Sequence, residues 1–343
     1  MAFKSKEEHK IAIIFVTVNH HKYDTSGLIV LWALAESGIG GLLHALHLPF
    51  TGIFVGGFAL ISISLIAWYN DDPKAILKAL SIVLAVKLLA SPHSPWQAYV
   101  AVAFQGFMGY LLYLQKSHFK AKTITFAIIC LLESAFQKWM IAVLIFGTDF
   151  FIAIDKSAIN VADSLGFQLS TSLVLWVFVS YTFLHLLVGI FLGIWIPTLP
   201  KKIDNFIAIS SKNEVQIIAN EKRSKFNKWL IGLIFICISL ICFHFFLPKN
   251  QPIDLAILLA RVVVTTLLLT FVIGPIIKWV IYRVFVKNSP NEKGIAAVLS
   301  QLPAYKQKMV ESYRLATQNY PKPEAYKIFL LGMLVFALRH DEK

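Results

Sequence analysis

Charge is what this 343-residue chain has least of. Asp, Glu, Lys and Arg make up 15% of it, against about a quarter in a soluble globular domain. With apolar residues at 57% and a mean hydropathy of +0.68, the deficit excludes an ordinary water-soluble fold. Acidic residues are scarcer than basic ones, 19 against 32, for a formal net charge of +13. No basic stretch alternates with aromatics, so the excess does not describe a nucleic-acid surface; extra Lys and Arg belong to the inner loops of membrane proteins. Cysteine is nearly absent. Cys130, Cys237 and Cys242 all fall inside apolar runs, with no CxxC and no pairing suggested by their spacing. Also missing are His-Glu-x-x-His, Gly-x-Ser-x-Gly, a dinucleotide fingerprint and a phosphate loop. The expectation is neither an enzyme nor the holder of a resident cofactor. Any ATP-driven step must belong to another chain.

What the chain does have is a series of apolar runs of about twenty residues, enough to cross roughly 30 Å of hydrocarbon as helices. The reading is an all-α, polytopic membrane helix bundle of about eight transmembrane helices, at about 27–47, 50–69, 74–90, 96–115, 123–147, 170–196, 229–247 and 253–286. Gly274-Pro275 interrupts the last run, and a weakly amphipathic stretch at 149–167 separates the fifth and sixth. Lys4, Lys6, Lys10, Lys22, Lys74, Lys116, Lys120, Lys122 and the basic run from Lys201 to Lys228 fall on one side, leaving Lys156 and Lys249 on the other. By the positive-inside rule both termini are then cytoplasmic. The chain divides into an uncleaved cytoplasmic N-terminal arm at 1–25, a six-helix membrane module at 26–200, a basic cytoplasmic loop at 201–228, a two-helix hairpin at 229–286 and a cytoplasmic helical tail at 287–343. Within the tail, 328–338 is too short to span and reads as an interfacial or partner-docking helix.

The first helix is the most informative. Ala33, Ser37, Gly41 and Ala45 recur every fourth residue, a spacing that lets another helix come close. They serve either internal packing or a partner-docking groove. Beside them Glu36, Gly40, His44 and His47 lie within roughly 80° of one another and climb about 16 Å. A carboxylate at membrane depth needs a partner or a hydrated cavity. The other candidates for a substrate pocket are His93, Trp96, Gln97, Gln105, Glu133, Gln137 and His185, with Lys87, Lys138 and Tyr181 near them. Lys138 or another cation reads equally well as a structural counter-ion for Glu133, and Lys87 and Arg261 read equally well as snorkelling to the outer surface. Imidazoles at the outer mouth suit Zn, Cu or Ni, but no spacing fixes a metal site.

A compact six-helix module with an Ala-x-x-x-Ser-x-x-x-Gly-x-x-x-Ala ridge on its first helix resembles the substrate-binding components of energy-coupling-factor transporters. The resemblance covers about half the chain. It implies that Ala33, Ser37, Gly41 and Ala45 dock a transmembrane coupling protein served by cytoplasmic ATPases. It also implies uptake of a vitamin, cofactor precursor or metal ion near the outer surface of a bacterial inner membrane. The chain departs from that pattern in its two further helices and its tail. Ala2 stands where the nickel and cobalt members carry a metal-binding His. The alternative function is a membrane scaffold or assembly protein of the cell envelope, which the rod-shape-determining membrane proteins resemble in shape. A proton-coupled carrier using Glu36, Glu133 and His185 as a relay is a third.

Overall fold

The computed structural model describes residues 23–45, 50–92, 94–115, 117–166, 168, 171–210, 255–287 and 289–338. The expected span at 229–247, most of the N-terminal arm and the basic loop beyond residue 210 lie outside them, as do His47 and His93. The described residues hold helices and no strand.

The first helix, α1 (26–45), is α-helical over Ser26–Leu34, widens to a π-turn over Ala35–Ile39 and closes with Gly40–Ala45. Asp24 starts it, accepting from the main-chain N–H of Ser26 at 2.8 Å and from its hydroxyl at 2.6 Å. There follow α2 (Thr51–Tyr69), α3 (Lys74–Ala90), α4 (Trp96–Leu112), α5 (Phe119–Phe146) and α6 (Thr148–Ser164). Then come α7 (Leu173–Trp195), α8 (Leu199–Ser210), α9 (255–287), α10 (Glu292–Asn319) and α11 (Lys322–Ala337). Among the described residues five stretches are long and apolar enough to cross a membrane: Ser26–Leu43, Thr51–Tyr69, Phe119–Phe146, Leu173–Ile207 and Leu259–Lys287. The described part is therefore an all-helical bundle of membrane-protein character.

Burial sorts the helices. Leu28 to Ala35 of α1 are buried in sequence, and α2 and α3 are buried along most of their length. The outer helices α5, α7 and α9 expose large apolar side chains such as Phe136, Phe191 and Phe271, the all-round hydrophobicity of lipid-facing helices. α5 and α7 meet through Gly189 and Gly193. A Cβ on Gly193 would stand 2.6 Å from the Ile124 Cα, and one on Gly189 3.1 Å from the Ile128 Cα. This is a small-x-x-x-small contact in which backbone touches backbone, and it lies on α7 rather than on the first helix.

Local chemistry sets the ends of α7. Ser172 caps it, its hydroxyl accepting from the Leu175 N–H at 3.0 Å. Asp155 of α6 then accepts from the Ser172 hydroxyl and from the Val174 N–H at 2.9 Å, so the helix starts after 170. At its other end Pro197 falls in the first turn of a short 3-10 segment, Ile196–Thr198, where a missing N–H costs nothing. The chain stays helical through Ser210, past the expected module boundary at 200.

The tail corrects a sequence expectation. The 328–338 segment does not stand free for the membrane surface or another protein. It forms the second half of α11, and Leu331, Met333, Leu334, Val335 and Leu338 are buried within this chain's own core. The Asp24 N–H donates to Leu338 O at 3.3 Å, and a Cβ on Gly27 would collide with Ala337 O and the Tyr305 hydroxyl. Only glycine lets the tail approach α1 so closely. α10 is tied to α3 where the Asn291 amide donates to the Ser81 hydroxyl at 2.8 Å. On the other flank the Tyr23 hydroxyl donates to Asp204 of α8 at 2.5 Å. Burial first, then the Asp204 carboxylate, push the Tyr23 phenol up to about 12. Stability from this contact is therefore complete below pH 10 and fades as pH rises toward 12.

Leu334 is fully buried, so Leu334→Lys is expected to destabilise the whole bundle by about 4 kcal/mol or more, through an unpaired buried charge. Thermal unfolding in detergent checks this. A melting temperature equal to wild type would show that α11 is dispensable to the core.

Candidate functional site

The π-turn carries the most consequential charge. Such a turn takes an extra residue into the helix and is a common feature of functional sites. Here it presents Glu36 to Lys87 of α3, the Nζ of which donates to the carboxylate at 2.7 Å and to the Glu36 main-chain oxygen at 3.4 Å. The side chains are 3% and 0% exposed, respectively. Lys87 therefore does not snorkel outward; it turns in and neutralises the carboxylate. The ring of Tyr99 lies 5.8 Å from the Lys87 ammonium and 5.8 Å from that of Lys278. Lys278 in turn donates to Pro92 O. Cations near an aromatic face are stabilised where water is excluded, so α1, α3, α4 and α9 are joined through one charged cluster.

Beside this pair α1, α2, α4 and α5 line a half-open cavity of about 280 Å³. Gly52 and Gly56 of α2, with Ala98 and Ala101 of α4, leave the space open. A side chain at Gly52 would run into the Ser134 hydroxyl. Glu36, Gln97, Gln105, Ser134, Gln137 and Lys138 supply polar lining. The Gln137 amide donates to the Gln97 main-chain oxygen at 3.1 Å and ties α5 to the first turn of α4. Gln105 is 3% exposed, and its Oε1, like that of Gln97, has no hydrogen-bond partner among the described residues. A buried amide oxygen left unpaired costs about 1–3 kcal/mol.

Of the residues expected to share a pocket, Glu36, Gln97, Gln105 and Gln137 converge here. Trp96 packs instead beside Gly274 of α9, with its indole N–H unpartnered. Glu133 does not line the cavity, and its Oε2 has no hydrogen-bond partner. His185 is buried on α7, its Nδ1 at 2.9 Å from Tyr181 O and its Nε2 unpartnered. The Tyr181 ring lies 4.3 Å from the His185 ring, 6.2 Å from the Trp139 ring and beneath the Lys138 ammonium. His44 falls in the last turn of α1, but its side chain, like that of Ala45, lies outside the described residues. The described residues contain no group of three His, Cys, Asp or Glu that could hold a metal ion.

The small-residue ridge of α1 is not an open stripe. Ala33 is fully buried, and the Ser37 hydroxyl is turned back onto Ala33 O at 2.6 Å. Gly41, beyond the π-turn, approaches Ser91 in the α3–α4 loop, with 3.1 Å between the serine Oγ and an added Cβ. Sequence reasoning missed the Glu36–Lys87 pair and the lining roles of Ser134 and Thr51. It also missed the small residues that open the cavity, although Gly52-x-x-x-Gly56 and Ala98-x-x-Ala101 at helical spacing carried that signal. No protein-family model, curated protein or solved structure matches the chain.

Proposed function

We propose that the protein is a multi-pass component of a bacterial inner membrane, with about eight spans and both termini inside, that binds a small polar solute for transport. The observation that carries this reading is the polar cavity at the π-turn, lined by Gln97, Gln105 and Gln137 beside a buried ion pair. Uptake of a vitamin-like or cofactor-precursor solute fits a site of this size. A separate coupling protein and its ATPases provide the energy in this reading, because the sequence carries no nucleotide motif.

The test is native mass spectrometry of the full chain in mild detergent. Wild type is expected to carry a small molecule, and Gln105→Leu to lose it while remaining monodisperse. A wild-type protein that neither carries nor takes up any small molecule from a cell extract would overturn the reading.

A further inference from the structure

A second recess lies at the opposite end of the bundle, where α2 and α4 finish and α5 begins. It is half-open, has a volume of about 190 Å³ and is lined by Ala67, Trp68, Tyr113 and Phe119. The Phe119 ring meets Trp68 edge-on at 4.9 Å and stacks on Tyr113 at 5.4 Å. The Tyr113 hydroxyl is already engaged in the interior, 2.9 Å from the hydroxyls of both Ser64 and Thr123. Apart from the Trp68 indole N–H, the lining side chains therefore offer carbon. A polar solute would give up water there for almost no hydrogen bonds in return, whereas a hydrocarbon chain loses nothing.

The recess opens to the outside of the bundle over apolar ground, since Trp68, Leu111 and Leu114 are all exposed. Immediately beyond it the sequence turns basic, with Lys116, Lys120 and Lys122 close together. Lys120 is exposed. The Lys122 ammonium donates to Gln115 O at 2.5 Å, which leaves its charge intact and two N–H groups for another acceptor. Of the two carboxylates past the end of α2, Asp72 serves the start of α3, accepting from the Lys74 N–H at 2.9 Å. Basic charge thus prevails over Asp71 at this end. An apolar slot that opens sideways and has cations at its edge is complementary to an anionic lipid, tail on the rings and phosphate toward the lysines.

We propose that the recess between α2, α4 and α5 holds an acyl chain of an anionic phospholipid, with its phosphate against Lys120 and Lys122. The site is separate from the solute cavity and rests only on the membrane character of the bundle. In the orientation proposed above it belongs to the cytoplasmic leaflet.

The test is native mass spectrometry of the full chain, delipidated in mild detergent and titrated with phosphatidylglycerol or with phosphatidylcholine of the same acyl chains. Phosphatidylglycerol is expected to bind at least about fivefold more tightly, the effect of roughly one lysine at an anionic surface. Lys120→Gln with Lys122→Gln is expected to abolish that preference at an unchanged melting temperature, because neither side chain is buried. Ala67→Phe, which fills the recess, is expected to weaken phosphatidylglycerol binding by a similar factor with both lysines in place. Equal affinity for the two lipids overturns the proposal. So does a preference that survives the double lysine variant, or phosphatidylglycerol binding that Ala67→Phe leaves unchanged. None of these results touches the solute-binding reading, which the Gln105→Leu comparison decides by itself.

Discussion

Lys87→Met is expected to leave little folded protein. The substitution keeps the bulk of the side chain and removes its ammonium, stranding the Glu36 carboxylate, 3% exposed, in the helix core. Breaking one partner of a buried pair costs about 3–5 kcal/mol, a large share of the stability of most folded chains. Glu36→Gln alone strands the lysine and is expected to cost a similar amount. The double variant Glu36→Gln with Lys87→Met is expected to recover most of the loss. A buried pair roughly breaks even against a neutral replacement, because desolvation offsets its Coulomb gain. Thermal unfolding of the four proteins in detergent decides the matter. If the double variant melts as low as either single one, the charges are not acting as a pair.

The second large effect is expected at Gly193. Its absent Cβ would sit 2.6 Å from the Ile124 Cα, a distance that side-chain rearrangement cannot relieve, since the obstacle is backbone. Gly193→Ala must push α5 and α7 apart and is expected to cost about 2 kcal/mol, the middle of the range for overpacking. Gly193→Leu is expected to abolish the monodisperse protein. Gly41→Leu is the control, because among the described residues only the Ser91 hydroxyl lies within 4 Å of an added Cβ, and a hydroxyl can rotate away where a backbone cannot. Size-exclusion profiles and melting temperatures read all three. Equal damage at Gly41 and Gly193 would refute the assignment of the close contact to α7.

Helical class was legible because hydrocarbon leaves the backbone no other solvent, so apolar runs of the right length announce themselves. Pairing between helices was not. Glu36 and Lys87 are 51 residues apart, and nothing local tells an inward lysine at a helix end from a snorkelling one. Helical phase explains the fate of Glu133. Ser134, Gln137, Lys138 and Ile141 share the face of α5 that lines the cavity, whereas Glu133 lies about 90° around the helix at 100° per residue. Four-residue spacing on α1 marked a real concentration of small residues. The π-turn at Ala35–Ile39 then changes the winding between Ala33 and Gly41, so the spacing no longer describes one face. Tail burial was illegible for another reason. The apolar positions from Leu331 to Leu338 show that a surface must be covered, not that α1 and α10 cover it.

The closure of α11 over α1 has a consequence for how the protein is made. α1 meets Ala337 and Tyr305 at its Gly27 end, residues that are translated long after it. Until then the buried row from Leu28 to Leu34 has part of its lasting neighbourhood missing. The nascent chain must carry an unfinished α1 until α10 and α11 have been made, in the care of lipid or an insertion factor, and the described bundle locks only when they close over it.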